Sequence, residues 1–94
     1  MTTAAQTLAQ ASGIVTGSRA DQYGGAERSF EDIAAHWTWW LGDRITAPLT
    51  AFDVAQMMIG LKQARLKSNA NHFDSILDQC GYAALSAEVQ ETQA

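Results

Sequence analysis

The sequence predicts an all-α fold, a compact bundle of about four helices. Three observations carry this. Apolar residues recur at three- and four-residue spacing, as in Phe30, Ile33, Ala34, Trp37, Trp40 and Leu41. Helix start signals (Thr, Ser or Asn) precede the periodic stretches, and Gly17 and Gly42 follow two of them as stops. The single proline and the frequent Ala, Leu and Gln favour helix over sheet. Helices are expected over 4–16, 29–41, 50–67 and 72–90, within one domain covering 1–94.

The 94 residues support one domain with a small core, and 47% hydrophobic content argues against disorder. Three Trp in so small a domain point to self-association. The net charge of −4 and a pI near 4.8 disfavour non-specific binding to nucleic acid, which needs a basic face. They leave room for one local cationic pocket for a small anion. The only cysteine, Cys80, suits a reducing compartment. No apolar run approaches the ~18 residues of a membrane span. The opening MTTAAQTLAQASG lacks the pattern of a signal peptide. The expectation is a soluble cytoplasmic protein.

The first helix starts at a capping Thr3 and has a weak apolar face of Leu8, Ala11, Ser12 and Val15. The following loop, GSRADQYGGAE, holds Arg19 and Tyr23 around Gly24-Gly25. It reads either as a surface connector or as a hinged loop closing over a ligand. The second helix starts at Ser29 with Asp32 in a capping-box position. Trp37 lies on its core stripe and Trp39 points roughly opposite Phe30, so Trp39 is either exposed or buried by a partner chain. Trp39 and Trp40 are the expected interface residues of a homo-oligomer. The third helix has the clearest start: Thr50 as cap, Asp53 three residues on and Leu49 stapling to Val54. Asn69 or Asn71 caps the fourth, whose core arc is expected to be Phe73, Ile76, Leu77, Cys80, Ala84 and Ala87.

The stretch Asp53–Leu85 concentrates charge on helices that must also supply core. Half of the chain's six cations lie within Lys62–Lys67. Val54, Met57, Met58 and Leu61 share a face on which Arg65 also falls, with Lys62 and Asp53 at its edges. A guanidinium there requires a carboxylate, a carbonyl or a bound anion. Two readings stay open, an internal Arg–Asp pair and phosphate recognition by Lys62 with Arg65. Asp74 and Asp78 stack at i, i+4 on a face shared with Gly81, Tyr82 and Leu85. A helical glycine costs roughly 1 kcal/mol relative to Ala, so this face is expected to meet another helix. Its two acids could hold Mg²⁺ or pair with Lys62 and Arg65.

Five motifs together resemble a phage-associated family of small domains of unknown function. They are RADQYG (Arg19–Gly24), FEDIAAHW (Phe30–Trp37), LTAFDVAQMM (Leu49–Met58), KQAR (Lys62–Arg65) and HFDSILDQCGYAAL (His72–Leu85). The resemblance spans about residues 12–88 and implies a viral or prophage origin and a bacterial host cytoplasm. More remotely the pattern is similar to the MazG-type all-α nucleoside triphosphate pyrophosphohydrolases. Those are helical oligomers that hold Mg²⁺ on acidic pairs and nucleotide phosphates on Lys and Arg. Their ExxE and ExxD pairs are replaced here by a lone Asp53 and by Asp74 with Asp78, so the four-carboxylate set is incomplete.

The resemblance and the residues together imply a MazG-like, oligomeric binder of a nucleotide or similar phosphometabolite. Arg19, Tyr23, Lys62, Arg65 and His72 are the expected ligand contacts. Asp53, Asp74 and Asp78 are the expected metal ligands if Mg²⁺ is bound, with hydrolysis by a metal-activated water. A second reading is a non-catalytic sponge that sequesters nucleotide immune signals. A third is a helical protein–protein interaction module built around Trp39. No membrane or nucleic-acid partner is expected.

Overall fold

The computed structural model describes residues 2–17 and 26–93. Among them are four α-helices, one short 3-10 turn and no strand. The helices are α1 (Ala4–Thr16), α2 (Ala26–Leu41), α3 (Ala51–Ser68) and α4 (Phe73–Gln93), with the 3-10 turn at Gly42–Arg44 after α2. Helix α2 begins three residues before the expected Ser29 start.

Local chemistry sets the ends. Thr3 and Thr50 each accept from the backbone N–H three residues on, and Gln6 and Asp53 return a side-chain acceptor to the cap's own N–H. Gly42 terminates α2 with φ +53°, a left-handed conformation that glycine adopts without steric cost. Thr38 then holds the connector against α2. Its hydroxyl donates to the Ala34 carbonyl (2.7 Å) and accepts from the Leu49 amide (2.9 Å).

Helices α3 and α4 form an antiparallel hairpin, the most extensive packing in the molecule. Two side-chain links show the direction: Gln56 to Ser86 near one end and Lys62 to Asp78 farther along. Helix α2 packs mainly on α3, and α1 rests on α4. The core is small. Phe30, Ala34, Ala51, Val54, Ala55 and Val89 form its buried cluster, with Ile33, Trp37, Leu49, Phe52, Met58, Tyr82 and Leu85 packed around it. The Phe30 and Tyr82 rings meet at 6.0 Å between centroids.

The buried arcs of α3 and α4 differ from the expected ones. On α3 the buried side chains are Ala51, Val54, Ala55 and Lys62. That arc is turned by roughly 60° from the expected Val54–Met57–Leu61–Arg65 stripe, at about 100° per residue. Met57 and Leu61 are instead 47% and 42% exposed. On α4 the buried face is Ser75, Leu77, Gly81, Ser86 and Val89, while Ile76, Ala84 and Ala87 face solvent. The physical reason is close approach. Small side chains let neighbouring elements in: Ala51 and Ala55 of α3 lie in the cluster with Phe30 and Ala34 of α2 and Val89 of α4, Ser86 of α4 meets Gln56 of α3, and Gly81 of α4 admits Val15 of α1.

The polar members of this face are hydrogen-bonded. Ser86 donates to the Tyr82 carbonyl (2.7 Å) and accepts from Gln56 Nε2 (3.0 Å). No buried side-chain nitrogen or oxygen among the described residues lacks a partner. Gly81 meets another helix, as its cost had implied: a Cβ built there lies 3.5 Å from Val15 Cγ1 of α1.

Candidate functional site

The charged cluster lies on the half of the α3–α4 hairpin nearest its turn. Lys62 is buried, and its Nζ lies 2.9 Å from Asp78 Oδ2. The side chains retain 11% and 26% of their exposure. The apolar stem of Lys62 runs through the interhelical contact and delivers the ammonium to the carboxylate. Leaving water costs both charges, and their attraction offsets that cost only with good geometry.

Arg65 lies one turn further along α3 and is exposed. Its guanidinium has no hydrogen-bond or ion-pair partner among the described residues. The expected internal Arg–Asp pair is therefore a Lys–Asp pair, formed by the residue placed at the edge of the stripe. Asp74 is exposed in the first turn of α4. His72 precedes that helix, its Nδ1 2.7 Å from the buried Ser75 Oγ, with the donor set by the imidazole tautomer. Arg19 and Tyr23 lie outside the described residues.

The three aspartates do not converge. Asp53 accepts from the Thr50 amide as the return half of the capping box (2.9 Å), Asp78 pairs with Lys62 and Asp74 faces solvent. Among the described residues no three His, Cys, Asp or Glu side chains form a group able to hold a metal ion. These acids do not fit a preformed Mg²⁺ site within the chain.

A second candidate surface is aromatic. Trp39 and Trp40 on α2 are 72% and 69% exposed. Their rings are 6.3 Å apart, and the His36 ring is 5.6 Å from Trp39. Trp40, expected on the core stripe, thus stands outside the core. Beside this patch runs an open groove of about 630 Å³ between α2 and the start of α3, its walls mostly Ala34, Ala35, Thr38, Pro48, Leu49 and Ala51. Sequence reading missed the groove. Its signal was the run of small residues, Ala34, Ala35 and Ala51, on elements that face each other.

Residues 6–90 match a family described as a domain of unknown function, DUF6378. The chain belongs to the DUF6378 family. It is 40% identical over 83 residues to the Gene 55 protein of Mycobacterium phage L5, covering 88% of this chain and 51% of that protein. It is 34% identical over 84 residues to the Gene 55 protein of Mycobacterium phage D29, covering 89% and 53%. The chain therefore spans about half the length of the curated relatives it matches. No solved structure matches. These relatives show the phage association of this DUF6378 domain, and neither bears on a MazG-type fold. No helix among the described residues is long and apolar enough to cross a membrane.

Proposed function

We propose that this DUF6378 domain binds a phosphorylated small molecule of the nucleotide class at the turn end of the α3–α4 hairpin. One observation carries the reading: a buried ammonium with one carboxylate partner, Lys62 with Asp78, one helical turn from the exposed Arg65, which has no partner among the described residues. A well-packed apolar pair of similar volume is often as stable as a buried ion pair, so the charges point to a use beyond stability. A phosphate approaching Arg65 would meet a planar fork of donors. Lys62 would supply the second charge by sharing its ammonium between Asp78 and the ligand. His72, just before α4, and Arg19 and Tyr23, in the sequence between α1 and α2, are the further contacts proposed. Mg²⁺ would arrive with the nucleotide rather than occupy a site prepared by Asp53, Asp74 and Asp78.

Binding without turnover is the form these residues support, in keeping with sequestration of a nucleotide signal in an infected host. Thermal melting against nucleoside triphosphates, cyclic dinucleotides and ADP-ribose derivatives, with and without Mg²⁺, tests it. Ligand at a hundredfold excess over its dissociation constant adds about 2.7 kcal/mol. At about 4–8 °C per kcal/mol for a domain of this size, the melting shift is roughly 10 °C or more. Arg65→Gln should abolish the shift while leaving the ligand-free melting temperature unchanged, because Arg65 is exposed. Recovery of intact ligand supports sequestration, and recovery of cleaved ligand supports a hydrolase. No shift across the panel overturns the reading.

A further inference from the structure

We propose that Ser75 sets the tautomer of His72 and so makes its imidazole a fixed Nε2–H donor for the phosphate site at the hairpin turn, a role that rests on the phosphate-binding reading of that site. His72 Nδ1 lies 2.7 Å from Ser75 Oγ. The two ends of this contact differ in burial, for Ser75 is fully buried and His72 is exposed.

Burial decides which group donates. Ser75 Oγ has no other hydrogen-bond partner among the described residues. Were Nδ1 the donor, the hydroxyl hydrogen would be left without an acceptor and away from water, at the cost of a buried unsatisfied donor. With the hydroxyl donating, Nδ1 accepts, and the neutral ring carries its proton on Nε2. Nδ1 is turned to Ser75 while the ring as a whole is exposed, so the Nε2 proton is the one offered to solvent. Among the described residues neither side chain bonds a backbone group of the first turn of α4. The pair therefore does not cap the helix, and what it fixes is the imidazole.

Two backbone hydrogen bonds tie this donor to the helix end that carries Arg65. The Asn69 amide donates to the Arg65 carbonyl (3.0 Å), and the His72 amide donates to the Asn69 carbonyl (3.1 Å). A neutral N–H there adds a directed contact to the charges of Lys62 and Arg65 without adding repulsion between cations. Ser75, buried behind the ring, is the positioning residue.

Nitrogen-15 NMR of the imidazole, in alkaline buffer where the ring is neutral, tests the first step on the wild type alone. Nε2 should carry the proton and the Ser75 hydroxyl proton should be protected from exchange, and a proton on Nδ1 would overturn the proposal. Titration with inorganic pyrophosphate tests the second step. His72→Ala and Ser75→Ala should each weaken binding by roughly 2- to 10-fold, the worth of one neutral hydrogen bond. The double variant should lose no more than either single, because Ser75 acts through His72. All three variants should keep the wild-type circular dichroism. Pyrophosphate binding that is lost in Arg65→Gln but unchanged in Ser75→Ala would overturn the role of Ser75 and leave the phosphate-binding reading standing. Losses that add in the double variant would overturn it too, since Ser75 would then act apart from His72. Absence of pyrophosphate binding by the wild type would overturn the phosphate-binding reading itself, and the donor's role with it, whichever tautomer is found.

Discussion

Lys62 Nζ lies 2.9 Å from Asp78 Oδ2, and this pair joins the two longest helices, α3 and α4, on the half of their hairpin nearest the turn. Its energetics are asymmetric. Asp78→Ala leaves an ammonium largely withdrawn from water with no countercharge, and a loss of about 1–3 kcal/mol is expected, below the 3–5 kcal/mol of fully buried pairs because Asp78 keeps some solvent. The double variant Lys62→Met/Asp78→Leu should return to within about 1 kcal/mol of wild type. Urea denaturation of the four members of this cycle measures the coupling. A double variant as unstable as the sum of its singles would show that the pair contributes structure an apolar contact cannot replace.

Gly81 offers the opposite test, a residue whose replacement should help. A Cβ there meets Val15 Cγ1 at 3.5 Å, an ordinary van der Waals contact. Gly81→Ala should therefore stabilise by up to about 1 kcal/mol through helix propensity. Gly81→Leu would push α1 off α4, and its cost should appear as lost protection of α1 amides in hydrogen exchange. Destabilisation by alanine would mean that α1 sits closer to α4 than this spacing implies.

These two positions also show what the sequence made legible. Glycine inside a helix signalled a close neighbour, and the capping residues Thr3 and Thr50 signalled starts, because both rest on local backbone chemistry. The faces of α3 and α4 were not legible. Periodicity ranks Met57, Leu61 and Ile76 as core by hydrophobicity, whereas the buried positions include Ala51 and Ala55 on α3 and Gly81 and Ser86 on α4, small residues that let a neighbouring element approach, α1 in the case of Gly81. The same rotation moved Lys62 from the edge of the stripe into the contact and left Arg65 in water. Trp39 was legible as a residue off the core stripe of its helix. The groove beside it arises only when Pro48 and Leu49 fold against α2, a relation between segments more than ten residues apart.

Thr38 fixes that relation. Its hydroxyl is the acceptor for the half-buried Leu49 amide, so Thr38→Val keeps the shape and removes the bond. The stranded amide should cost about 1–3 kcal/mol. The connector should loosen, with faster exchange of the Leu49 amide proton as its signature. Unchanged exchange at Leu49 would assign the connector's position to the packing of Leu49 alone.

The two capping boxes should give different results for the same substitution. Thr50→Ala removes the acceptor of the Asp53 amide at the start of a helix that buries Ala51, Val54 and Ala55 immediately afterwards. The first turn of α3 cannot fray without exposing the core, so the whole domain should lose about 1 kcal/mol in urea. Thr3→Ala removes the equivalent bond to Gln6, yet α1 buries only Ala11, two turns later. There the first turn opens locally, and the global midpoint should hardly move while the early amides of α1 exchange faster. Equal losses of global stability from the two substitutions would mean that α1 unfolds together with the rest of the bundle, and that its seat on Gly81 binds it more tightly than its small buried area suggests.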